Sequence, residues 1–380
     1  MKKKIIFAFG LTMFLAQPSW ALEEIMKNYR GIRSLGMGGV VTTTGLYDES
    51  LFGNPATSLQ NPTWKLSLLN VTAEANTNFL EDFNKVSKAS SESGTGVISK
   101  ISDEGIAGRN EHSRLTMLMP AFYSPHFFSE NTSFSIGLLF NLQTNIMLHQ
   151  NVVVDTQTIA DVGPNVGIAH RYTLFDSPLD VGINLHGIYR LAGDKSLRAT
   201  SFLAGQKISL SEVAGQGLGI DGDVGVFYKL PFEPPFFKAI SVGASINNVA
   251  GSEYRVAFKD IVKKATGAPP VNDRSFNMGV RADLPDALIF TDNLFAIEMQ
   301  NIGELQYQAS FFKRIHFGGE THLTRFLAFR AGLNQGYVGA GVGINLPLFK
   351  FDVATYGEEL GSNAGQLEDR RVLVRVALEI

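Results

Sequence analysis

The last strand-like stretches of this chain alternate in polarity almost without error. From Val338 to Leu346, Val338, Ala340, Val342, Ile344 and Leu346 point one way, while Gly339, Gly341, Gly343 and Asn345 point the other. The end of the chain repeats the pattern. Val372, Val374, Val376, Leu378 and Ile380 share one face, and Arg375, Ala377 and Glu379 share the opposite one. A period of two belongs to a strand whose two faces meet unlike surroundings. The chain also opens with an export signal. Lys2, Lys3 and Lys4 precede an apolar run, Ile5 to Ala16, and Ser19-Trp20-Ala21 supplies small residues where cleavage needs them. Residues 1–21 are therefore expected to be a signal peptide. On an exported chain an apolar strand face can meet lipid instead of a core. The pair of features predicts an antiparallel transmembrane β-barrel in the outer membrane of a Gram-negative cell.

Other classes are closed off by what is missing. The apolar leader is shorter than the ~20 residues that a membrane helix needs, and no later apolar run reaches that length. The chain has no cysteine, which excludes a lipid-anchored start, disulfides and thiolate metal sites. Its net charge of −3 mixes both signs, so nucleic acid is not implied as a partner.

Strand character appears near 63–75, 113–122, 131–144, 164–173, 179–190, 217–229, 238–250, 274–283, 292–301, 309–320, 326–334, 337–346, 349–357 and 370–380. That makes about fourteen strands, an even count of the kind single-chain bacterial barrels use. The connections alternate in kind. One set, 76–112, 145–163, 191–216, 251–273 and 358–369, is long and polar. The interleaved set is short and marked by proline, as at Ser124-Pro125, Ser177-Pro178, Pro231 to Pro235 and Leu346-Pro347. Barrels place long loops outside the cell and short turns in the periplasm, so both termini are expected to be periplasmic. The apolar phase puts Phe134, Ile136, Leu138 and Phe140 on lipid, with Ile240, Val242, Ala244 and Ile246, and with Phe276, Met278 and Val280. The opposite phase gives a polar lumen: Asp223, Arg281, Glu298, Gln300, Glu320, Arg330, Asp352 and Arg375. In the first long loop, Leu80, Phe83, Val97, Ile98 and Ile101 read as short amphipathic pieces.

Roughly forty residues precede the first strand without alternating. They read Arg33-Ser34-Leu35-Gly36-Met37-Gly38-Gly39, then Thr42-Thr43-Thr44, Asp48-Glu49-Ser50 and Gly53-Asn54-Pro55-Ala56. Close glycines let backbone bend tightly against backbone, and Asn54 before Pro55 signals a turn. A plug folded into the barrel over 22–62, with the barrel itself over 63–380, is the economical reading. Here the sequence resembles a family. Gly36, Met37, Gly38 and Gly39, with Asn54, Pro55 and Ala56, are similar to the N-terminal plug motif of FadL-like outer-membrane barrels, a superfamily that also holds PorV-like and TraF-like proteins. The resemblance implies a fourteen-stranded barrel with an N-terminal plug. It carries over no ligand-contact residue. The chain departs from the family at Thr42 to Tyr47, where small and acidic residues are usual, and at its last residue, Ile380.

Three patterns have blander readings. Gly217-Leu218-Gly219-Ile220-Asp221-Gly222 spells a dinucleotide fingerprint, but it enters a strand and no βαβ unit surrounds it. Barrel-wall glycines explain it better. His316, Glu320 and His322 share one strand face, and a metal there needs further ligands from other strands. Lumen or rim polarity is favoured, with no metal or cofactor expected. No spacing singles out a Ser–His pair, so the chain is not read as an enzyme. The resemblance implies a channel or transporter for small hydrophobic compounds such as long-chain fatty acids. The alternative is a PorV-like or TraF-like barrel that serves secretion or conjugation proteins as a partner. Outer-membrane lipid is a partner on either reading.

Overall fold

The computed structural model describes residues 24, 26–92, 95–151, 153–205, 215–232, 235–255, 268–303 and 310–380. The export signal lies outside them. Fourteen antiparallel strands form one closed barrel. They are β1 (Lys65–Asn76), β2 (Asn110–Ser129), β3 (Thr132–Leu148), β4 (Val154–Leu174), β5 (Ser177–Leu197), β6 (Gly215–Lys229) and β7 (Ala239–Asn247), then β8 (Ser275–Asp283), β9 (Phe290–Ile302), β10 (Ile315–Leu323), β11 (Leu327–Asn334), β12 (Tyr337–Asn345), β13 (Phe349–Glu359) and β14 (Glu368–Glu379). Each strand pairs with its neighbours in sequence, and β1 closes on β14 with Val71 opposite Val376 and Asn76 opposite Arg371.

Polarity runs opposite to that of a soluble domain. Val342, Val353, Val374 and Val376 point outward and stay exposed, while Asp352, Arg330, Arg375 and Glu379 point inward and are buried. The expected apolar faces behave alike. Ile136, Ile246, Met278 and Val280 are all exposed on the outer surface. Among the described residues no helix is long and apolar enough to cross a membrane.

The strand at each expected position exists, but one expected loop is mostly wall and a second is partly so. β4 and β5 each run for 21 residues. The connection read as 145–163 shrinks to the residues between Leu148 and Val154, and in the one read as 191–216 residues 191–197 continue β5 while 215–216 start β6. At these upper ends Ile146, Leu148, Val154 and Leu197 pack with Ile106 in a buried apolar cluster, and polar residues such as Asp155, Thr156 and Gln157 stand between them. The sequence alternation lapses there although the hydrogen-bonded ladder continues. The first long loop folds into two helices, α3 (Thr77–Ser91) and α4 (Thr95–Asp103). A fifth short helix, α5, spans Ala199–Leu203.

The N-terminal segment forms α1 (Ile32–Gly36), α2 (Asp48–Phe52) and a 3-10 turn at Pro55–Gln60. It lies within the lumen. Its contacts run from the loop end, where Glu24 meets Arg371 beside the start of β14, to the turn end, where Gln60 meets Asp180. Ile380 stands at the turn end, bonded to Leu66. The chain at Glu24 therefore sits at the opposite end of the barrel from Ile380.

An arginine on the outer face tests the belt. Val342→Arg should destabilise the barrel in a bilayer by about 2–4 kcal/mol, read from reversible denaturant unfolding in vesicles. The outer-rim change Leu346→Arg should cost much less.

Candidate functional site

The site is the interface between the N-terminal segment and the wall. Its centre is one carboxylate. Glu298 of β9 accepts the backbone N–H groups of Val41 (2.8 Å), Thr42 (2.9 Å) and Thr43 (2.8 Å), and the Thr43 hydroxyl at 2.8 Å. Successive N–H groups turned toward one point form an anion-binding concavity. Here the anion is a wall side chain. Gln300 of the same strand donates to Glu298 and to the Gly39 carbonyl, each at 2.8 Å.

The segment also meets bare wall backbone. Gly38 adopts φ +69°, the left-handed region that favours glycine. A Cβ there would stand 2.3 Å from the Phe317 carbonyl oxygen. Opposite it, a Cβ on Gly318 would stand 1.9 Å from the Met37 carbonyl oxygen. Asn54 uses a second such socket. A Cβ on Gly225 would stand 1.9 Å from its Oδ1. The Asn54 amide donates to the carbonyls of Thr42 (2.8 Å) and Val226 (2.9 Å), while its oxygen accepts from Ala56.

Toward the turn end, alternating charges link segment and wall. Arg33 of α1 forks onto Glu320 of β10 at 2.8 and 3.0 Å and reaches Glu49 of α2 at 3.3 Å. Arg330 of β11 bridges Glu320 (2.6 Å) and Asp352 (2.7 Å). Arg375 of β14 then spans Asp352 and Asp48, both at 3.5 Å. Asp48 accepts the Tyr29 hydroxyl. Burial raises the Glu49 carboxyl above its ordinary range against the pull of Arg33. Burial also opposes the charge on Arg33, yet Glu320 and Glu49 hold its guanidinium above the usual arginine range.

At the loop end the same alternation recurs. Arg371 of β14 meets Glu24 at 2.8 Å and Asp369 at 2.8 Å, and Arg30 meets Glu358 of β13 at 2.7 Å. Burial penalises the Glu24 charge, but Arg371 and Arg30 outweigh it and hold the carboxyl below the usual carboxylate range.

Two cavities flank the segment. The loop-side one holds about 110 Å³ and is bordered by Asn247, Asn272, Asn277, Asp223, His186 and Gln300. Phe52 is stacked between Tyr29 (4.8 Å) and His186 (5.4 Å) at its edge. Thr42 Oγ1 and His316 Nε2 also border it, both buried with no protein partner among the described residues. Such groups take water. The turn-side cavity holds about 600 Å³ and is walled by charge, including Lys65, Lys229, Arg281 and Asp283. Glu49 borders both. Polar and charged side chains line most of both spaces.

No protein-family model and no curated protein matches this chain. Solved structures do match it, over almost its full length. The deltaS2 mutant of the monoaromatic hydrocarbon channel TodX superposes with a TM-score of 0.53 at 13% identity, covering 93% of this chain and 98% of that one. The monoaromatic hydrocarbon channel CymD gives 0.52 at 11% identity, over 94% and 98%. The Ralstonia pickettii toluene transporter TbuX gives 0.51 at 13% identity, over 95% and 99%. This chain shares the barrel fold of those structures. Identity this low shows the fold alone.

Within the barrel, the residues assigned to the lumen stand on the inner side of the wall. Glu298 and Gln300 hold the Gly39–Thr43 turn, and Glu320, Arg330, Asp352 and Arg375 form the charge ladder. Asp223 accepts from His186 at 2.7 Å. Arg281 pairs with Asp283 on its own strand, not with Glu298, whose carboxylate is already taken by backbone. The motif residues Gly36 to Gly39 and Asn54 to Ala56 sit at the wall sockets. His316 faces the Gly38 carbonyl at 3.0 Å, and His322 borders the turn-side cavity. Gly217 and Gly219 belong to the wall of β6 and lie against Tyr254.

Sequence reasoning missed Arg190, fully buried on β5, which forks onto Asp161 of β4 at 2.6 and 2.8 Å. Asp161 lay in an expected loop. It missed Arg33 and Asp48 as wall partners as well, though both stand in the quoted motif.

Two substitutions test the interface. Glu298→Ala leaves three buried N–H groups unpaired, at about 1–3 kcal/mol each. Hydrogen exchange at residues 40–44 should accelerate by at least tenfold while the strand amides stay protected. Gly38→Ala adds the Cβ for which no space exists. Limited trypsin digestion should then cut after Arg30 or Arg33, which the wild type should resist.

Proposed function

We propose that this protein is an outer-membrane channel for small hydrophobic compounds, closed at rest by residues 22–62 acting as a plug in the 63–380 barrel. The carrying observation is the closed fourteen-strand barrel, apolar outside, whose lumen is occupied by its own N-terminal segment. The turn end faces the periplasm on this reading, and the long loops face out.

The lumen argues about the cargo. An apolar cavity of about 150 Å³ stays dry and takes a benzene-sized molecule. The loop-side cavity is smaller, at about 110 Å³, and its amides favour water. An extended fatty acid does not fit there. Compact compounds of the monoaromatic kind suit the fold's solved relatives better, since channels of that kind carry them. Even these have no apolar seat while the segment is in place. Transport then requires the segment to shift, and the resting protein should retain little cargo.

Reconstituted protein tests this. Arg33→Ala removes the fork to Glu320 and should raise toluene flux into vesicles several-fold over wild type, with oleate flux changed far less. Single-channel conductance should rise in the same variant. Equal flux for both proteins, with a stoichiometric secretion or conjugation protein recovered on purification, would hand the case to the partner role.

A further inference from the structure

One apolar space lies outside the lumen. A groove of about 490 Å³ runs along the outer surface near the loop end. Its floor consists of outward-facing residues, Ala73 of β1, Leu115 of β2, Leu142 of β3 and Val374 of β14. Its roof is Phe79 and Leu80 of α3. That helix starts where β1 ends. Asn76 accepts the N–H of Phe79, and Asn78 donates to the Asn110 carbonyl, so the first turn is tied to the rim. Asp82 is buried and held by Arg109 at 2.6 Å, which fixes the helix's rotation. The apolar side of α3 consequently overhangs the wall. Phe79 and Phe83 pack edge to face at 5.2 Å, yet Leu80 and Phe83 remain 59% and 54% exposed. Lys88, in the last turn of the helix, is exposed.

A soluble protein would not leave such residues over an open apolar slot. The slot is open along the stripe of outward valines and leucines that makes the lipid-facing belt. The small side chains Ala73 and Ala75 give it depth. The occupant that continuity with the belt supplies is a hydrocarbon chain lying along the strands. We propose that α3 and the outer faces of β1, β2, β3 and β14 clasp one acyl chain of a membrane lipid, so that α3 is an interfacial anchor set by that lipid. The inference rests on the membrane reading above, and the experiment separates the two.

The chain has no cysteine, so single cysteines can be labelled cleanly. Bimane is placed at Phe83→Cys, Lys88→Cys and Val280→Cys, the last an exposed belt control on β8, across the barrel from the groove. Each protein is reconstituted in phosphatidylcholine vesicles carrying lipid with a nitroxide high on its acyl chain. Strong quenching at positions 83 and 280, with Lys88→Cys quenched instead by aqueous iodide, supports the clasp. Quenching at 280 with iodide access at 83 overturns it and leaves the barrel in the membrane. Iodide access at 280 overturns the membrane reading itself. A second arm fills the slot. Ala73→Trp should cut lipid quenching at Phe83→Cys by half or more while 280 is unchanged. An unchanged signal at 83 shows that the helix rests in lipid without a bound chain, and the proposal fails.

Discussion

Everything in this molecule depends on the pairing of β1 with β14. A lone sheet surrounded by hydrocarbon would leave two rows of unpaired backbone N–H and C=O groups, each costing several kcal/mol. Closure removes both edges. Once the sheet is closed, its curvature fixes an inside, and strict alternation delivers every second side chain there. The wall cannot choose to have an empty lumen and an apolar exterior independently. One register sets both. A single-residue slip at Val71 opposite Val376 would turn the valines of β14 inward and Arg375 and Glu379 outward.

The inward set then demands partners. Arg330, Arg375 and Arg371 are each buried with carboxylates in reach. Wall residues alone do not complete the pairing. Arg33 supplies the second cation at Glu320, Asp48 the second anion at Arg375, and Glu24 an anion at Arg371. Glu298 has no arginine and takes backbone N–H groups of the segment instead. The segment is thus part of the electrostatic balance of the wall. The wall glycines do the complementary steric work, since Gly318 and Gly225 let the motif approach to backbone distance.

This division explains what the sequence revealed. Val338 to Leu346 declared itself because its two faces meet lipid and lumen. The upper half of β4, from Val154 to Asp161, did not, because Val154 packs with Ile106, Ile146, Leu148 and Leu197 while threonines and Gln157 follow it, so no run of apolar residues marks one face. Gly36 to Gly39 and Asn54-Pro55 stood out as a motif, but their sockets on Gly318 and Gly225 lie far away in sequence among ordinary wall glycines. Glu298 was legible as a lumen carboxylate. That it caps the Val41–Thr43 turn was not, because backbone donors leave no mark on residue type. The helical pieces of the first loop were visible through Leu80 and Phe83, whereas the overhang of α3 beyond the wall depends on Asn76 and Asp82 contacts that no periodicity encodes.

The chemistry of the interface bears on how it opens. Buried ion pairs are poor stabilisers compared with apolar packing, since desolvation offsets much of their attraction. A segment built only to seal the barrel would be better served by leucines. An apolar seal, however, exposes hydrocarbon to water whenever it lifts, and the cost grows with the area exposed. The charge ladder and the Glu298 turn behave differently. When Arg33 leaves Glu320, water replaces the lost bonds, and Arg330 remains to keep that carboxylate paired. The polar cavity against Thr42 and His316 offers room for solvent next to the contacts that hold the segment. Polar contacts therefore hold the segment in register at rest and let it part from the wall by hydration. The proposed closed channel would require that behaviour, and the polar interface, rich in carboxamides and ion pairs, is suited to it.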